Sequence, residues 1–140
     1  MPTASHPPPD EPLRVSILRQ GGYLIASIHT ALDDGQLVRF RRDLLDEIGR
    51  HRSRGVIIDV AALDVIDSFA CHTLRTITEV SRLRGAETVV VGIQPDVALA
   101  MVRLGVSVGA LATALDLEEG MALLEVITSG AVFLPGKGAR

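Results

Sequence analysis

From position 15 onward the chain alternates between two apolar rhythms. Val15 and Ile17 are spaced by polar neighbours, Tyr23–Ile28 is almost continuously apolar, and Gly21-Gly22 lies between them. Two β-rich runs joined by Gly-Gly predict a hairpin. After Asp33-Asp34, the residues Leu37, Phe40, Leu44 and Ile48 recur at spacings of three, four and four. That is the period of one helical face, and Asp33 with Gln36 fits a capping box at its start. Val56–Val60 is apolar except for Asp59, which predicts a strand buried on both faces. A second helix is predicted after Asp67-Ser68, with Ala70, Leu74, Ile77, Val80 and Leu83 as its inner face and Gly85 as its end. Thr88–Val91 predicts another buried strand. Pro95 suits the first turn of a short helix ending near Gly105. Ala112–Ala114 predicts a weak strand, and Asp116 with Glu119 a capping box that leads a last helix through Leu117, Met121, Leu124 and Ile127.

The order is strand, strand, then helix and strand in alternation. Parallel neighbours need crossovers, and helices supply them. The expected fold is therefore α/β: a mixed, mostly parallel sheet of four to five strands with about four helices. At 140 residues the chain has room for one domain with a real core. Residues 1–12 hold five prolines and almost no large apolar groups, which predicts a disordered leader. The domain is expected over 13–127. The glycine-rich stretch 128–140 is expected to be a flexible tail in which Phe133 and Leu134 are the groups able to dock.

Composition narrows the chemistry. A net charge of −3 and an aromatic content of 3% offer neither a basic face nor a stacking platform for nucleic acid. Lys137, in the tail, is the only lysine, so no lysine inside the fold can hold a phosphate. Cys71 is the only cysteine, and His6, His29, His51 and His72 show no zinc spacing. No metal or cofactor is expected. The proline-rich start is unlike a secretory signal, and no apolar run reaches the roughly 20 residues of a membrane span. A soluble cytoplasmic protein is the expectation.

Enzyme motifs fail on inspection. Gly130 to Lys137 places five residues between the glycines where a P-loop has four, and Gly138 stands where a magnesium-binding hydroxyl belongs. Asp33-Asp34 suggests the acidic pair of a receiver domain, but the lysine such a site requires is missing, and helix capping accounts for the pair. Ser68 and His72 are four apart and share a helical face. With Asp64 or Asp67 nearby they suggest a hydrolytic triad. However, G-x-S-x-G is absent and no second element orients His72 as a base. No catalysis is expected.

Asp67-Ser68 remains. The plain reading is that Asp and Ser are good helix caps. The wider pattern Ile57-Ile58-Asp59-Val60, Leu63-Asp64-Val65-Ile66-Asp67-Ser68 says more. With Val89-Val90-Val91-Gly92-Ile93-Gln94-Pro95, Thr113–Gly120 and the opening Ile17–Ile25, it resembles the STAS domains of bacterial anti-sigma factor antagonists. Within them it resembles the small scaffold subunits of the stressosome, the RsbS type, because Asp67-Ser68 is followed by Phe69-Ala70 rather than by Ser-Gly. The larger paralogues of that assembly carry a second acceptor threonine after Q-P; here no Ser or Thr occurs between Val89 and Val106.

The resemblance implies a phosphorylatable scaffold that sequesters a switch-type serine/threonine kinase and releases it when Ser68 is phosphorylated. Asp64, Asp67, Phe69 and His72 are then the candidates for partner recognition around the acceptor. It also implies STAS-domain sensor paralogues, a resetting phosphatase, and a homo-oligomer or large hetero-oligomer. The alternative within the family is a stand-alone antagonist that binds an anti-sigma factor kinase.

Overall fold

The computed structural model describes residues 13–107 and 109–129. The predicted leader, most of the predicted tail and the near-miss to a P-loop at Gly130–Gly138 lie outside them. Nine elements follow one another: β1 (Val15–Gln20), β2 (Tyr23–Ile28), α1 (Asp34–His51), β3 (Gly55–Asp59), α2 (Ser68–Leu83), β4 (Glu87–Val91), α3 (Pro95–Arg103), β5 (Ala112–Ala114) and α4 (Leu117–Thr128). The sheet order is β1-β2-β3-β4-β5. The β1–β2 hairpin turns at Gly21-Gly22 and is antiparallel; every other pair is parallel. This is the expected α/β architecture.

Alternation along the strands sorts the core into two layers. Leu24, Ala26, Val56, Ile58 and Val90 pack with Phe40, Leu44, Ile48, Leu74 and Ile77 of α1 and α2. Tyr23, Ile25, Ile57, Val89 and Val91 face the other way, onto Leu124 of α4. Helix α4 lies so close to the sheet that a Cβ at Gly120 would collide with the Val91 side chain. A smaller cluster of Cys71, Val97 and Met101 holds α3 against α2.

Helix α1 buries the four residues its period selects, and the Asp33–Gln36 capping box is closed in both directions at 2.8 and 2.9 Å. The last helix departs from its prediction: Asp116 Oδ1 accepts from Glu119 N–H at 2.9 Å, but the Glu119 carboxylate reaches Leu115 N–H instead of the cap. The inner face of α2 also needs correction. It is Cys71, Thr73, Leu74, Ile77, Thr78 and Ser81, with Ala70 and Val80 half-buried and Leu83 87% exposed.

All four helices begin where the parallel strands end, at the carboxyl edge of the sheet. In open α/β sheets, function gathers outside that edge. Ser68 lies there.

Candidate functional site

The segment between β3 and α2 is fixed almost entirely through its backbone. Asp59 Oδ1 accepts from Ala61 N–H at 2.9 Å. Val60 N–H donates to Val91 C=O at 3.0 Å, and Leu63 N–H to Val60 C=O at 2.9 Å. Gln94, at the start of α3, donates its side-chain amide to Ala61 C=O at 2.8 Å. Gly92 lets the β4–α3 turn come this close. It sits at φ 81°, and a Cβ there would lie 2.9 Å from Ala61 Cβ and 3.1 Å from its Cα and N. Along the segment, Ile66 packs against the α1–α2 core and the α3 cluster together. Asp64 and Val65 face solvent, Val65 being 66% exposed.

Asp67 ends the segment in extended conformation (φ −111°, ψ 178°) and caps α2, accepting from Ala70 N–H at 2.9 Å. Its carbonyl takes Cys71 N–H at 3.1 Å. The N–H groups of Ser68 and Phe69 therefore stand at the head of the helix with no partner among the described residues. Ser68 is the first helical residue, exposed, and its hydroxyl makes no hydrogen bond among the described residues.

The predicted recognition residues divide. Asp64 and Asp67 are exposed and both precede Ser68 in the chain, and Phe69 after it is half-buried. His72 is exposed one turn on, but its Nε2 lies 3.5 Å from Thr76 Oγ1 and makes no hydrogen bond to Ser68. The Ser–His pairing that a hydrolytic triad needs is therefore not formed. Cys71 points inward one turn after Ser68; burial, and secondarily the Asp67 carboxylate, push its thiol above the usual thiol range. It is held as a protonated thiol rather than a nucleophile. Among the described residues, no three His, Cys, Asp or Glu side chains gather in a way that could hold a metal ion, and no helix is long and apolar enough to cross a membrane.

Sequence reasoning missed the two residues that brace this loop, Gly92 and Gln94. They stand inside a segment already marked as family-like, but their work is done across the sheet. It also missed a half-open apolar cavity of ≈170 Å³ beside the helix start. Its walls are Ile28, Leu32, Leu37, Leu63, Val65 and Ile66, and it is closed towards α2 by Asp67 and Ala70.

A five-stranded, mostly parallel sheet of this order with four helices is the arrangement of a STAS domain. The STAS domain family model matches residues 14–119, and the chain belongs to that family. Among curated proteins it is similar to the RsbT co-antagonist protein RsbRA of Bacillus subtilis (strain 168), with 31% identity over 90 residues, or 64% of this chain. The match spans only 33% of that relative's length.

Among solved structures it is similar to a serine-to-glutamate variant of RsbS from Moorella thermoacetica. The TM-score is 0.74 and the identity 32%, covering 84% of this chain and 99% of that one. It is also similar to a chain of a stressosome described as a signal integration and transduction hub, with a TM-score of 0.67 and 29% identity over 80% of this chain and 97% of that one.

Proposed function

We propose that this protein is a non-catalytic regulatory scaffold of the stressosome type. It holds a switch-type serine kinase while Ser68 is unmodified and releases it when Ser68 is phosphorylated. STAS-domain sensor paralogues are its partners in a large hetero-oligomer, and a phosphatase resets the site.

The observation that supports this reading is the state of the Ser68 hydroxyl. It is exposed, free of hydrogen bonds among the described residues, and presented at the first residue of α2, after a loop whose backbone is bonded at Val60, Ala61 and Leu63. A kinase needs an acceptor it can reach without unfolding anything. The relatives support the same reading: RsbRA is named as a co-antagonist of RsbT, and the Moorella RsbS chain carries a carboxylate where a serine stood.

Phosphate at this position acts on the surface rather than on the fold. The unpartnered N–H groups of Ser68 and Phe69 and the positive end of α2 accommodate an anion. The added charge, about −1.5 to −2 at neutral pH, joins Asp64 and Asp67. A partner seated over the helix start then meets new bulk and a dianion it must desolvate.

The test is intact-protein mass spectrometry after incubation with the switch kinase and ATP. One phosphate is expected on the wild type and none on Ser68→Ala. Ser68→Asp is expected to weaken kinase binding roughly 5- to 150-fold with the melting temperature nearly unchanged. Phosphate on another residue with Ser68 bare overturns the proposal.

A further inference from the structure

Resting on that reading of Ser68, we propose that the ≈170 Å³ cavity beside it is the kinase's anchor point. It would take one bulky aliphatic or aromatic side chain that the kinase presents between basic residues. The size fits: a closed apolar cavity of about 150 Å³ holds a benzene ring. The position fits too, because Val65, Ile66, Asp67 and Ala70 are both the cavity's wall and the immediate neighbours of Ser68. A side chain seated here places its own backbone over the acceptor.

Charge decides what surrounds that side chain. Asp33, Asp34, Asp64 and Asp67 are all exposed, at the start of α1 and in the loop that leads to α2, the two elements between which the cavity opens. None of the four forms an ion pair among the described residues, and no Lys or Arg lines the cavity. An apolar seat near unpaired carboxylates favours a knob flanked by Arg or Lys and speeds encounter with it. Ser68 itself is not part of the cavity lining. The docking face thus divides into an anchor that phosphorylation leaves intact and a switch beside it.

The experiment compares wild type with Ala31→Leu and Ala70→Leu, two lining residues that fill the cavity from the β2–α1 loop and from α2, and with Asp34→Asn/Asp64→Asn. Binding of the purified switch-type serine kinase of the source genome is measured by calorimetry and stopped flow, and Ser68 phosphorylation by mass spectrometry. Each filled variant is expected to lose about tenfold or more in affinity. KM for Ser68 phosphorylation should rise, kcat should be retained, and the melting temperature should hold. The double Asn variant is expected to associate several-fold more slowly at low salt and to lose about half of its salt dependence, since Asp33 and Asp67 remain.

If the wild type is phosphorylated on Ser68 and both filled variants bind as it does, the anchor is overturned and the Ser68 switch stands. If the wild type binds the kinase but takes no phosphate on Ser68, the switch is overturned instead. Should Ala70→Leu melt early, Ala31→Leu on the exposed β2–α1 loop carries the test.

Discussion

The two edges of the sheet use polar side chains in opposite ways. At the carboxyl edge, short acids bond to main chain only a few residues away: Asp33 to Gln36 N–H, Asp59 to Ala61 N–H, Asp67 to Ala70 N–H and Asp116 to Glu119 N–H. At the opposite edge, long side chains reach one another. Glu47 bonds Arg50 and His51, Arg82 meets Glu87 at 3.6 Å, and Arg54 lies 5.2 Å over the Tyr23 ring. Tyr23 in turn bonds Glu125 and Thr128, both at 2.8 Å. The first arrangement locks backbone and leaves Ser68 and Val65 unused. The second ties long side chains to one another, within α1 and between elements; its exposed ion pairs, such as Arg82 with Glu87, stabilise little. A partner surface with defined geometry is expected at the edge whose backbone is fixed.

The sharpest way to break this contrast is to add one methyl group at each edge. At Gly92 the methyl meets Ala61 Cβ at 2.9 Å and Ala61 backbone at 3.1 Å, in a left-handed conformation that alone costs a non-glycine residue about 1–3 kcal/mol. Gly92→Ala should therefore lower unfolding free energy by roughly 2–4 kcal/mol and loosen the Ser68 loop. At Gly49, inside α1, the methyl meets only the Arg84 guanidinium, which can swing into water. Gly49→Ala should be neutral or gain up to about 1 kcal/mol from helix propensity. Urea unfolding measures both; equal losses at the two glycines would erase the distinction.

A smaller effect separates the two roles of Asp67. Its side-chain bond to Ala70 N–H is an N-cap, and losing it costs about 1 kcal/mol. Asp67→Ala should show that loss in chemical denaturation. Asp67→Asn keeps a capping oxygen and should be close to wild type in stability, while removing one carboxylate beside Ser68. Asp64→Ala, which breaks no hydrogen bond among the described residues, should stay within about 0.5 kcal/mol.

The legible parts of the molecule are those where one rule acts alone. Leu37, Phe40, Leu44 and Ile48 sit at strict helical spacing and are all buried, and the continuous apolar runs are the central strands. Helix α2 departs from its expected inner face because its threonines hide their polarity. Thr73 Oγ1 donates to Phe69 C=O at 2.8 Å and Thr78 Oγ1 to Leu74 C=O at 3.0 Å, so each presents a methyl face to the core. Leu83, apolar but last in the helix, is left exposed at its end. At the site, Asp67 and Ser68 were visible as a local motif. The cavity was not, because its walls come from β2, the β2–α1 loop, α1 and the β3–α2 loop, which only the folded sheet assembles. The Gln94 brace was hidden for the same reason: it spans 33 residues to Ala61.

The smallest expected effect tests how dry the wall behind Ser68 is. Cys71 is buried, and desolvation first, then the Asp67 carboxylate, raise its pKa above the ordinary 9.0. The folded protein then holds the thiol proton more tightly than the unfolded chain does. As pH rises past 9.0, the unfolded chain loses that proton first and is favoured. The contribution is present in full below 9.0 and is lost as pH climbs towards the folded value. Wild type should therefore lose more stability than Cys71→Ala across that window, measured by urea unfolding on either side of 9.0. In Asp67→Asn the thiolate absorbance should appear at lower pH, by only part of the total shift, since desolvation remains. A Cys71 that titrates like a free thiol would mean that water reaches the interior behind the acceptor, and the fixed carboxyl edge would lose the rigidity that separates it from its opposite.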